Sequence, residues 1–354
     1  MVDKIRIAML IDCYGGSFLG GGQTYLDNIV RILKKDYPCE INVFTQRNAG
    51  LVARLVWNLW VVVQVFFHHV RKPFQLIHAQ AFSAGISGKI LSVILGIPVV
   101  YSVHGSHTMD MVGLKYEKKS WKYYFEKYLL TKVKYDKQIS VSANFLQYPN
   151  VNKQIEVIEN GVTKKDIKKF EKNTLDKKIK LLFVGRLEKI KGLEILLHSL
   201  VLLENKSQYE LKIVGDGSLE TSLKALSKKL KLNSVEFVGK KTGDELEKLY
   251  LDADLFVLPS IAEGQPIVLL DAWSYKLPVL VTTAGHNPWM VEDGKNGFIV
   301  EVGDVSALVK GLKNAFKNHD KWVSMGEAGF KKVTSTYTWE IAVKKLFKEY
   351  QKLV

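Results

Sequence analysis

The segment LPSIAEGQPIVLLDAWSYKLPVLVT, residues 258–282, contains the pattern that decides the fold of this 354-residue chain. Two short β-rich runs, one ending at Pro259 and one at residues 279–282, flank a stretch whose apolar residues have helical spacing. Pro266 fits the first turn of that helix, where a backbone N–H has no helical partner in any case. A strand, a crossover helix and a second strand in this order are typical of a parallel sheet. The segment therefore predicts an α/β domain.

The same alternation runs along the chain in two series. The first predicts strands at residues 5–11, 41–45, 75–79, 98–103, 137–141 and 155–158, with helices beginning near residues 23, 51, 83, 115 and 143. The second predicts strands at residues 181–184, 211–214, 235–238, 255–259, 279–282 and 298–300, with helices beginning near residues 192, 218, 243, 266 and 305. Between them, residues 164–180 are charged and poor in large apolar side chains, as in a linker.

Two Rossmann-like domains of similar size follow from this division. We expect an N-terminal domain at residues 1–165 and a C-terminal domain at residues 166–338. A last helix at residues 339–354 could belong to either domain, and it would cross back to the N-terminal domain in the first case. The two domains should face each other across a cleft. Ligands of such open sheets bind beyond the carboxyl ends of the strands, so the loops after the strands are the candidate sites.

The composition is that of an ordinary globular protein, with 47% hydrophobic and 25% charged residues. It excludes a disordered chain, a collagen-like fibre and a disulfide-stapled miniprotein. The two cysteines, Cys13 and Cys39, are too few for a disulfide framework and fit no zinc-site spacing. The first residues contain no long apolar run, so we expect no signal peptide and a reducing, cytoplasmic environment.

The charge balance is strongly basic. The chain has 51 Lys and Arg against 36 Asp and Glu, a formal net charge of +15. Residues 1–165 hold 21 of the cations and only 11 of the anions. Such a surplus indicates an anionic partner, either nucleic acid, lipid headgroups or phosphorylated substrates. Because the sequence contains no recognisable nucleic-acid-binding module, we do not expect nucleic acid to be the partner.

One long apolar run occupies residues 51–67 and is interrupted by Arg54, Asn58 and Gln64. A membrane-spanning helix needs about 20 mostly apolar residues, and this run is both shorter and broken. The preferred interpretation is a core crossover helix of the first domain. A helix at a membrane interface is the second interpretation.

Residues 115–137 are basic and aromatic, with eight lysines against three acids. On a helical wheel one face carries the aromatic side chains Trp121, Tyr124, Phe125 and Tyr128. The neighbouring face carries Lys115, Lys118, Lys119 and Lys122. A basic aromatic helix is typical of contact with an anionic membrane surface. The alternative is that the aromatic stripe packs on the N-terminal sheet and the lysines are merely solvated.

Three loops carry residues that suit an anionic, sugar-like ligand. The glycines at residues 20–22 lead into a helix, whose free N–H groups and dipole attract anions, although a flexible turn explains them equally well. Arg186 and Lys191 lie in the turn after a strand. They could neutralise a diphosphate there, or they could be solvated cations of a basic turn. Glu263 and Asp271 offer two carboxylates to sugar hydroxyls, unless Asp271 is a capped or paired structural acid.

The pairing of GRLEKIKG, residues 185–192, with EGQPIVLLD, residues 263–271, resembles the retaining, nucleotide-sugar-dependent glycosyltransferases of the GT4 family, which have the GT-B fold. The resemblance covers nearly the whole chain. It includes LIHAQ at residues 76–80, VHGSH at 103–107, IENGV at 158–162 and VGDGSLETSL at 214–223. These motifs are specific through their joint order and spacing.

The resemblance implies a role for each matching residue. Arg186 and Lys191 would hold the donor diphosphate. Glu263 would contact the hydroxyls of the donor sugar, and Asp271 would bind the ribose. The other residues implied in donor binding are Gly21, Gly22, Gly264, Gln265, Pro266 and Ile267. His104 would approach the transferred sugar, so the implied catalytic residues are Glu263, His104, Arg186 and Lys191, whereas the role of His107 stays open.

The implied activity is retaining transfer of a hexose-type sugar from a UDP- or GDP-linked donor to a lipid-linked or glycan acceptor, as in the synthesis of cell-envelope polysaccharides or glycolipids. The resemblance also implies that no metal and no cofactor takes part. Together with the basic aromatic segment at residues 115–137, this leads to the hypothesis of a cytoplasmic protein attached peripherally to the cytoplasmic face of the membrane. The D-x-D at Asp252 and Asp254 ends a predicted helix before a buried strand, so we interpret it as local structure.

Two departures from the family pattern keep alternatives open. Asp271 replaces the second Glu of the E-x7-E pattern. AGHNPWMVEDGKNG, residues 284–297, stands where the family often has GGxxE, with His286 and Trp289 intruding. The chain could then be a catalytically weak nucleotide-sugar-binding partner of another transferase. A different GT-B enzyme, such as a sugar-nucleotide epimerase, is a further alternative, although it should lack the two paired motifs.

Overall fold

The computed structural model describes residues 4–11, 21–46, 51–80, 83–163, 178–203 and 208–354. The chain divides into two compact units, residues 1–161 with 339–354 and residues 162–338. The division falls four residues before the expected boundary, and the last helix belongs to the first unit. Most of the expected linker, Cys13 and the glycine loop up to Gly20 lie outside the described residues.

Within its described residues, the first unit contains a six-stranded sheet in which every strand pair is parallel. The strands are β1 (Ile5–Ile11), β2 (Cys39–Thr45), β3 (Leu76–Gln80), β4 (Val99–Val103), β5 (Lys137–Ser140) and β6 (Glu156–Val157), in the order β2-β1-β3-β4-β5-β6. The helices that follow in sequence are α1 (Gly21–Asp36), α2 (Leu51–Arg71), α3 (Ala84–Leu95), α4 (His107–Gly113) and α5 (Trp121–Thr131). A 3₁₀ turn covers Ala143–Gln147.

The second unit repeats this arrangement with another six parallel strands among its described residues. The strands are β7 (Ile179–Val184), β8 (Tyr209–Val214), β9 (Val235–Gly239), β10 (Leu255–Leu258), β11 (Val279–Thr282) and β12 (Phe298–Val300), in the order β12-β11-β10-β7-β8-β9. The helices are α6 (Leu193–Val201), α7 (Glu220–Lys229), α8 (Gly243–Asp252), α9 (Ile267–Ser274), α10 (Asn287–Met290), α11 (Val305–Lys317) and α12 (Trp322–Thr336). Helix α13 (Trp339–Gln351) returns to the first unit.

The central strands are buried along their whole length, which explains their continuous apolar sequences. Every residue of β4, β10 and β11 is buried, as expected where crossover helices cover both faces of a parallel sheet. Each strand predicted from the sequence is present, with ends that differ by at most two residues. The predicted α/β class is therefore confirmed.

Helix α2 is the predicted crossover helix, between β2 and β3, but only one of its two apolar faces lies in the core. Trp57, Val61 and Val65 are buried in the core of the first unit. The opposite side of the helix is exposed, with Leu59 at 76% and Val70 at 64% of their full accessibility. The helix carries apolar side chains on two faces, and the sheet covers only one of them. No helix in the described part of the chain is long and apolar enough to cross a bilayer.

Helix α5 corrects two expectations for residues 115–137. The helix begins at Trp121 instead of near residue 115, because Ser120 caps it by accepting a hydrogen bond from Tyr123 N. Lys115, Lys118 and Lys119 therefore precede the helix. The aromatic side chains are exposed, at 68% for Trp121, 59% for Tyr124, 37% for Phe125 and 57% for Tyr128. Packing of this stripe on the sheet is thus wrong, since Leu129 and Leu130 form the buried face instead.

Helix α13 is anchored in the first unit by buried aromatic and polar contacts. Trp339 and Tyr350 are at most 1% exposed. The Tyr350 hydroxyl lies 2.5 Å from His78 Nδ1, and His78 Nε2 lies 2.7 Å from the Ser102 hydroxyl. Because His78 belongs to β3 and Ser102 to β4, these contacts make the last helix part of the core of the first unit.

Candidate active site

The loops after β7 and β10 lie side by side because β7 and β10 are neighbours in the second sheet. Gly192 ends the first of these loops with φ at 64°, and a Cβ there would clash with the carbonyl oxygen of Pro259. The Ile190 carbonyl accepts a hydrogen bond from Ile261 N at 2.7 Å. A glycine that tolerates positive φ thus brings the GRLEKIKG segment against EGQPIVLLD.

A buried network of four side chains joins these loops to β11. Lys191 Nζ donates a hydrogen bond to Glu263 Oε1 at 2.5 Å, and the Ser260 hydroxyl donates to the same oxygen at 2.7 Å. The Thr282 hydroxyl in turn donates to the Ser260 carbonyl at 2.5 Å. Glu263 is 5% exposed, and the Lys191 side chain is 13% exposed. Two residues expected to bind a donor are therefore in direct contact, and Ser260, which the sequence analysis did not single out, orients the carboxylate.

The loop after β11 packs against the backbone of Glu263. Gly285 has φ at 57°, and a Cβ there would overlap the Glu263 carbonyl. His286 N donates to the Gly264 carbonyl at 2.9 Å. The buried His286 ring stacks on Trp289, with centroids 5.6 Å apart and planes within 9°. His286 therefore lies next to the Glu263–Gly264 backbone and packs against Trp289, which presents about half of its surface to solvent (52%).

The other residues predicted on the donor side lie on the same loops. Arg186 follows β7 with its side chain exposed. The chain continues from Glu263 into α9 through Gly264, Gln265, Pro266 and Ile267, of which the first three are buried. Asp271 is half-buried in the second turn of α9. Burial, with a smaller contribution from the Asp271 charge, raises the pKa of the Tyr250 hydroxyl well above its usual value.

Asp252 and Asp254 take part in local structure, as the sequence predicts. Asp252 pairs with Lys180 at 2.8 Å and with Lys212 at 3.0 Å. Burial opposes ionisation of Asp252, but the hydrogen bonds from the two lysines outweigh it and lower the pKa of the carboxyl. Asp254 Oδ2 accepts a hydrogen bond from the Lys180 backbone N–H at 2.7 Å. Asp252 and Asp254 therefore connect the start of β7 to the segment that precedes β10.

In the first unit, His104 lies just beyond β4 at the carboxyl edge of the sheet. Its ring packs edge-on against Tyr25 of α1, with centroids 4.5 Å apart. Burial lowers the pKa of His104 to about 4, so the imidazole is neutral at pH 7. His104 Nε2 is buried and has no hydrogen-bond partner in the described part of the chain. Gly21 and Gly22 form the exposed start of the same helix α1.

Gln80 is a candidate site residue to which the sequence analysis assigned no role. It ends β3, in register with Ile11 of β1 and Ser102 of β4, and is fully buried. Neither of its side-chain polar atoms has a hydrogen-bond partner among the described residues. An unsatisfied buried polar group costs about 1–3 kcal/mol, and each such group in a native structure calls for an explanation such as a ligand. The signal in the sequence is the polar residue that closes the strand LIHAQ.

Known proteins share both the sequence motifs and the fold. Residues 164–332 match the family described as glycosyl transferases group 1. An uncharacterized glycosyltransferase of Methanocaldococcus jannaschii is 30% identical over 281 residues, which cover 78% of this chain and 75% of that protein. The UDP-Gal:alpha-D-GlcNAc-diphosphoundecaprenol alpha-1,3-galactosyltransferase of Escherichia coli is 29% identical over 319 residues, which cover 81% of this chain and 75% of that protein.

A solved structure extends the likeness to the complete fold. A sucrose-phosphate synthase from Thermosynechococcus elongatus superposes with a TM-score of 0.85 at 18% identity, covering 99% of both chains. At this identity the likeness concerns the fold, which is GT-B. The similarity to the M. jannaschii protein extends over three quarters of its length and settles the family. The chain belongs to the group 1 glycosyltransferases.

Proposed function

We propose that the protein is a retaining glycosyltransferase that moves a hexose-type sugar from a UDP- or GDP-linked donor to a lipid-linked or glycan acceptor. The buried contact between Lys191 and Glu263 carries this proposal. It sets a cation beside a carboxylate at the carboxyl edge of a parallel sheet, where ligands of such sheets bind. The cation suits a diphosphate, and the carboxylate suits sugar hydroxyls. The name of the E. coli relative, which specifies a UDP-linked galactose and a diphosphoundecaprenol acceptor, supports both substrate classes.

In the proposed reaction the acceptor hydroxyl oxygen bonds to the anomeric carbon, on the face that the phosphate leaves, while the bond from that carbon to the β-phosphate oxygen breaks. Negative charge develops on the phosphate oxygen, and the hydroxyl proton is released to water. Lys191 can donate to Glu263 and to the phosphate together, because an ammonium group has three N–H donors. Arg186, exposed on the same loop, supplies a second cation. Helix α6 begins directly after Gly192 and adds backbone N–H groups with a positive partial charge. These groups stabilise the leaving group without a proton transfer.

The remaining residues orient the reactants in this proposal. Glu263 contacts the sugar hydroxyls near the reacting carbon, and Lys191 and Ser260 fix its carboxylate before the donor arrives. Asp271 binds the ribose, and Gly21, Gly22 and Gly264 to Ile267 complete the donor contacts. His104 accepts or donates one hydrogen bond to the transferred sugar. Because the two cations neutralise the diphosphate, the reaction needs no metal, and transfer should persist in EDTA.

Donor binding tests the proposal directly. A ligand at 100 times its dissociation constant adds about 2.7 kcal/mol to the free energy of unfolding. We expect one sugar nucleotide from a panel of UDP-, GDP- and ADP-linked sugars to raise the melting temperature, and Lys191→Met to remove most of that rise. If no donor stabilises the protein at millimolar concentration, the proposed site is wrong. Transfer or donor hydrolysis that Glu263→Ala abolishes would exclude the catalytically weak binding partner.

Replacing Gln80 with Leu is expected to stabilise the protein and to reduce its activity. Leu removes, at similar volume, two buried polar atoms that have no partner among the described residues, so the free energy of unfolding should rise by about 1–2 kcal/mol. If the amide binds the acceptor or the sugar, kcat/KM should fall about tenfold or more, since hydrogen bonds to a substrate are lost. Urea unfolding and initial-rate kinetics on the same preparations measure both changes. Lower stability together with unchanged kinetics would assign Gln80 to the core alone.

A lipid-linked acceptor would place the enzyme on the cytoplasmic leaflet of a membrane, with residues 115–137 as the proposed contact. The exposed aromatic side chains of α5 and the lysines that precede it support this assignment. Each lysine near an anionic leaflet contributes about 1 kcal/mol, and salt screens the attraction. Binding to anionic vesicles should therefore weaken as salt rises. Equal pelleting with neutral and anionic vesicles would count against this contact.

A further inference from the structure

An apolar surface lies on the outer side of α2 and α3 in the first unit. On α2 its members are spaced by three, one and three residues, and this spacing occurs twice: Val56, Leu59, Trp60, Val63, Phe66, Phe67 and Val70. With 3.6 residues per turn, these positions fall within an arc of about 120°. Helix α3 adds Ile90, Val93 and Ile94. These ten side chains, each 40–76% exposed, are called the α2–α3 surface below.

The two helices expose their apolar faces in the same direction. Asn58 Nδ2 of α2 donates to the Ser83 hydroxyl before α3 at 3.0 Å, and Ser87 of α3 donates to the Asn58 carbonyl at 3.2 Å. The inner sides of both helices belong to one buried cluster, represented by Val61 of α2 and Leu91 of α3. Since both helices pack on the same side of the sheet, their outer sides form one continuous surface.

The α2–α3 surface is too large to be a scatter of single exposed residues. Helix α2 has 21 residues and is therefore about 31 Å long, with apolar side chains exposed along most of it. Contiguous apolar patches beyond a few hundred Å² mark protein or membrane interaction sites. Helix α2 has one apolar face in the core of the first unit and a second apolar face exposed among the described residues. The second face therefore calls for a partner.

The surrounding charge identifies that partner as an anionic lipid surface. No Asp or Glu occurs in the sequence between Glu40 and Asp110. The cations of this stretch among the described residues are Arg54, Arg71, Lys72 and Lys89, of which Lys72 also pairs with Glu40. A docking site for another protein usually has a polar rim of both charges, whereas a basic margin around Trp, Phe and Leu is typical of an interfacial helix.

The topology connects this surface with the basic aromatic helix α5. Helices α2, α3 and α5 lie in connections that run the same way along the sheet, from β2 to β3, from β3 to β4 and from β4 to β5. Right-handed crossovers place such helices on one side of the sheet. Leu130 of α5 accordingly shares the buried cluster of Val61 and Leu91. The exposed side chains of all three helices thus belong to one outer layer.

We propose that the α2–α3 surface inserts into the interfacial region of an anionic bilayer, with Trp60 and Leu59 among its apolar anchors. The inference goes beyond the proposed function, because lipid binding of this kind requires neither donor nor acceptor. It also differs from the contact proposed for residues 115–137, since apolar insertion resists salt. Interfacial helices bury their apolar face about 5–10 Å into the headgroup boundary, which fits a helix that lies in the plane of the membrane.

Co-sedimentation of the full chain with phosphatidylglycerol–phosphatidylcholine vesicles tests the proposal. Leu59→Glu is expected to lower the partition coefficient about tenfold or more, because a Leu side chain then leaves the bilayer. Val323→Glu is the matched control, since Val323 is 74% exposed on α12 and Leu59 is 76% exposed on α2. Both variants add one negative charge at an exposed position, so both should fold normally and keep the donor-induced rise in melting temperature.

Two further measurements make the outcome decisive. At about 1 M salt, where the Debye length is about 3 Å, the remaining binding of the wild type should still depend on Leu59. Vesicles with brominated acyl chains should quench the tryptophan fluorescence, and Trp60→Leu should keep binding but show less quenching, the remainder coming from tryptophans such as Trp121 on α5. The proposal is overturned if the wild type does not bind vesicles, or if Leu59→Glu binds like Val323→Glu. It is also overturned if the wild type is a dimer that does not bind vesicles and Leu59→Glu only makes it monomeric.

Discussion

Sugar transfer by a Lys191→Met variant is expected to fall by about 10²–10³-fold, the usual cost of removing one preorganised donor to a developing negative charge. The same change should lower the free energy of unfolding by about 3–5 kcal/mol. It leaves the Glu263 carboxylate, which is 5% exposed, with the Ser260 hydroxyl but without its cation. Initial rates with a saturating donor and urea unfolding at pH 7 measure the two effects.

A Lys191→Met, Glu263→Gln double variant separates the role in catalysis from the role in folding. With both charges removed, no uncompensated ion stays in the network, so most of the lost stability should return. Activity should not return, because the diphosphate still lacks its cation and the sugar hydroxyls lack their carboxylate. If the rate recovers together with the stability, the contact between Lys191 and Glu263 is only structural and the proposed donor site is wrong.

The strands could be predicted from the sequence because burial on both faces leaves a continuous apolar run. Strand β11 has its predicted bounds for this reason. The burial of α2 could not be predicted in the same way, since the helix has two apolar faces and the sequence does not say which one the sheet covers. The start of α5 depends on Ser120 accepting a hydrogen bond from Tyr123 N, a choice among several polar residues that helical periodicity does not resolve.

The candidate site was predictable where it depends on residues close to one another in a motif. Lys191 and Glu263 come from two such motifs, and the neighbouring positions of β7 and β10 bring them together. Ser260 and Gln80 have no motif of their own. Their roles depend on how one loop approaches another and on the register of β3 with β1 and β4. The contacts of Arg186 and Asp271 with a donor stay predictions until a ligand is bound.

Lowering the pH from 6.5 to 4.5 is expected to destabilise the protein by about 2 kcal/mol through His78 alone, since the slope rises from about 0.7 kcal/mol per pH unit at pH 6.5 toward about 1.4 at pH 4.5. Burial, with a smaller contribution from the nearby His104, lowers the pKa of His78 to about 3. The unfolded chain binds a proton below pH 6.5, whereas the folded protein does not until about pH 3. The stabilisation is therefore complete about one unit above pH 6.5 and is lost as the pH falls toward 3. His104, whose pKa burial lowers to about 4, acts in the same direction.

A His78→Gln variant isolates this contribution. Gln can still hydrogen-bond to Ser102 and Tyr350 but does not titrate, so the mean slope of the unfolding free energy between pH 6.5 and 4.5 should fall by about 1 kcal/mol per unit. Carboxylates with lowered pKa values, such as Glu349, lose most of their contribution below pH 4.5. They and His104 titrate in both proteins, so the difference in slope between the two reports His78. Urea unfolding at closely spaced pH values measures the slope, and an unchanged slope would remove His78 as its source. Because Tyr350 belongs to α13, the protection factors of the amides in that helix, which are corrected for the slower intrinsic exchange at low pH, should fall over the same pH range in the wild type and less so in the variant.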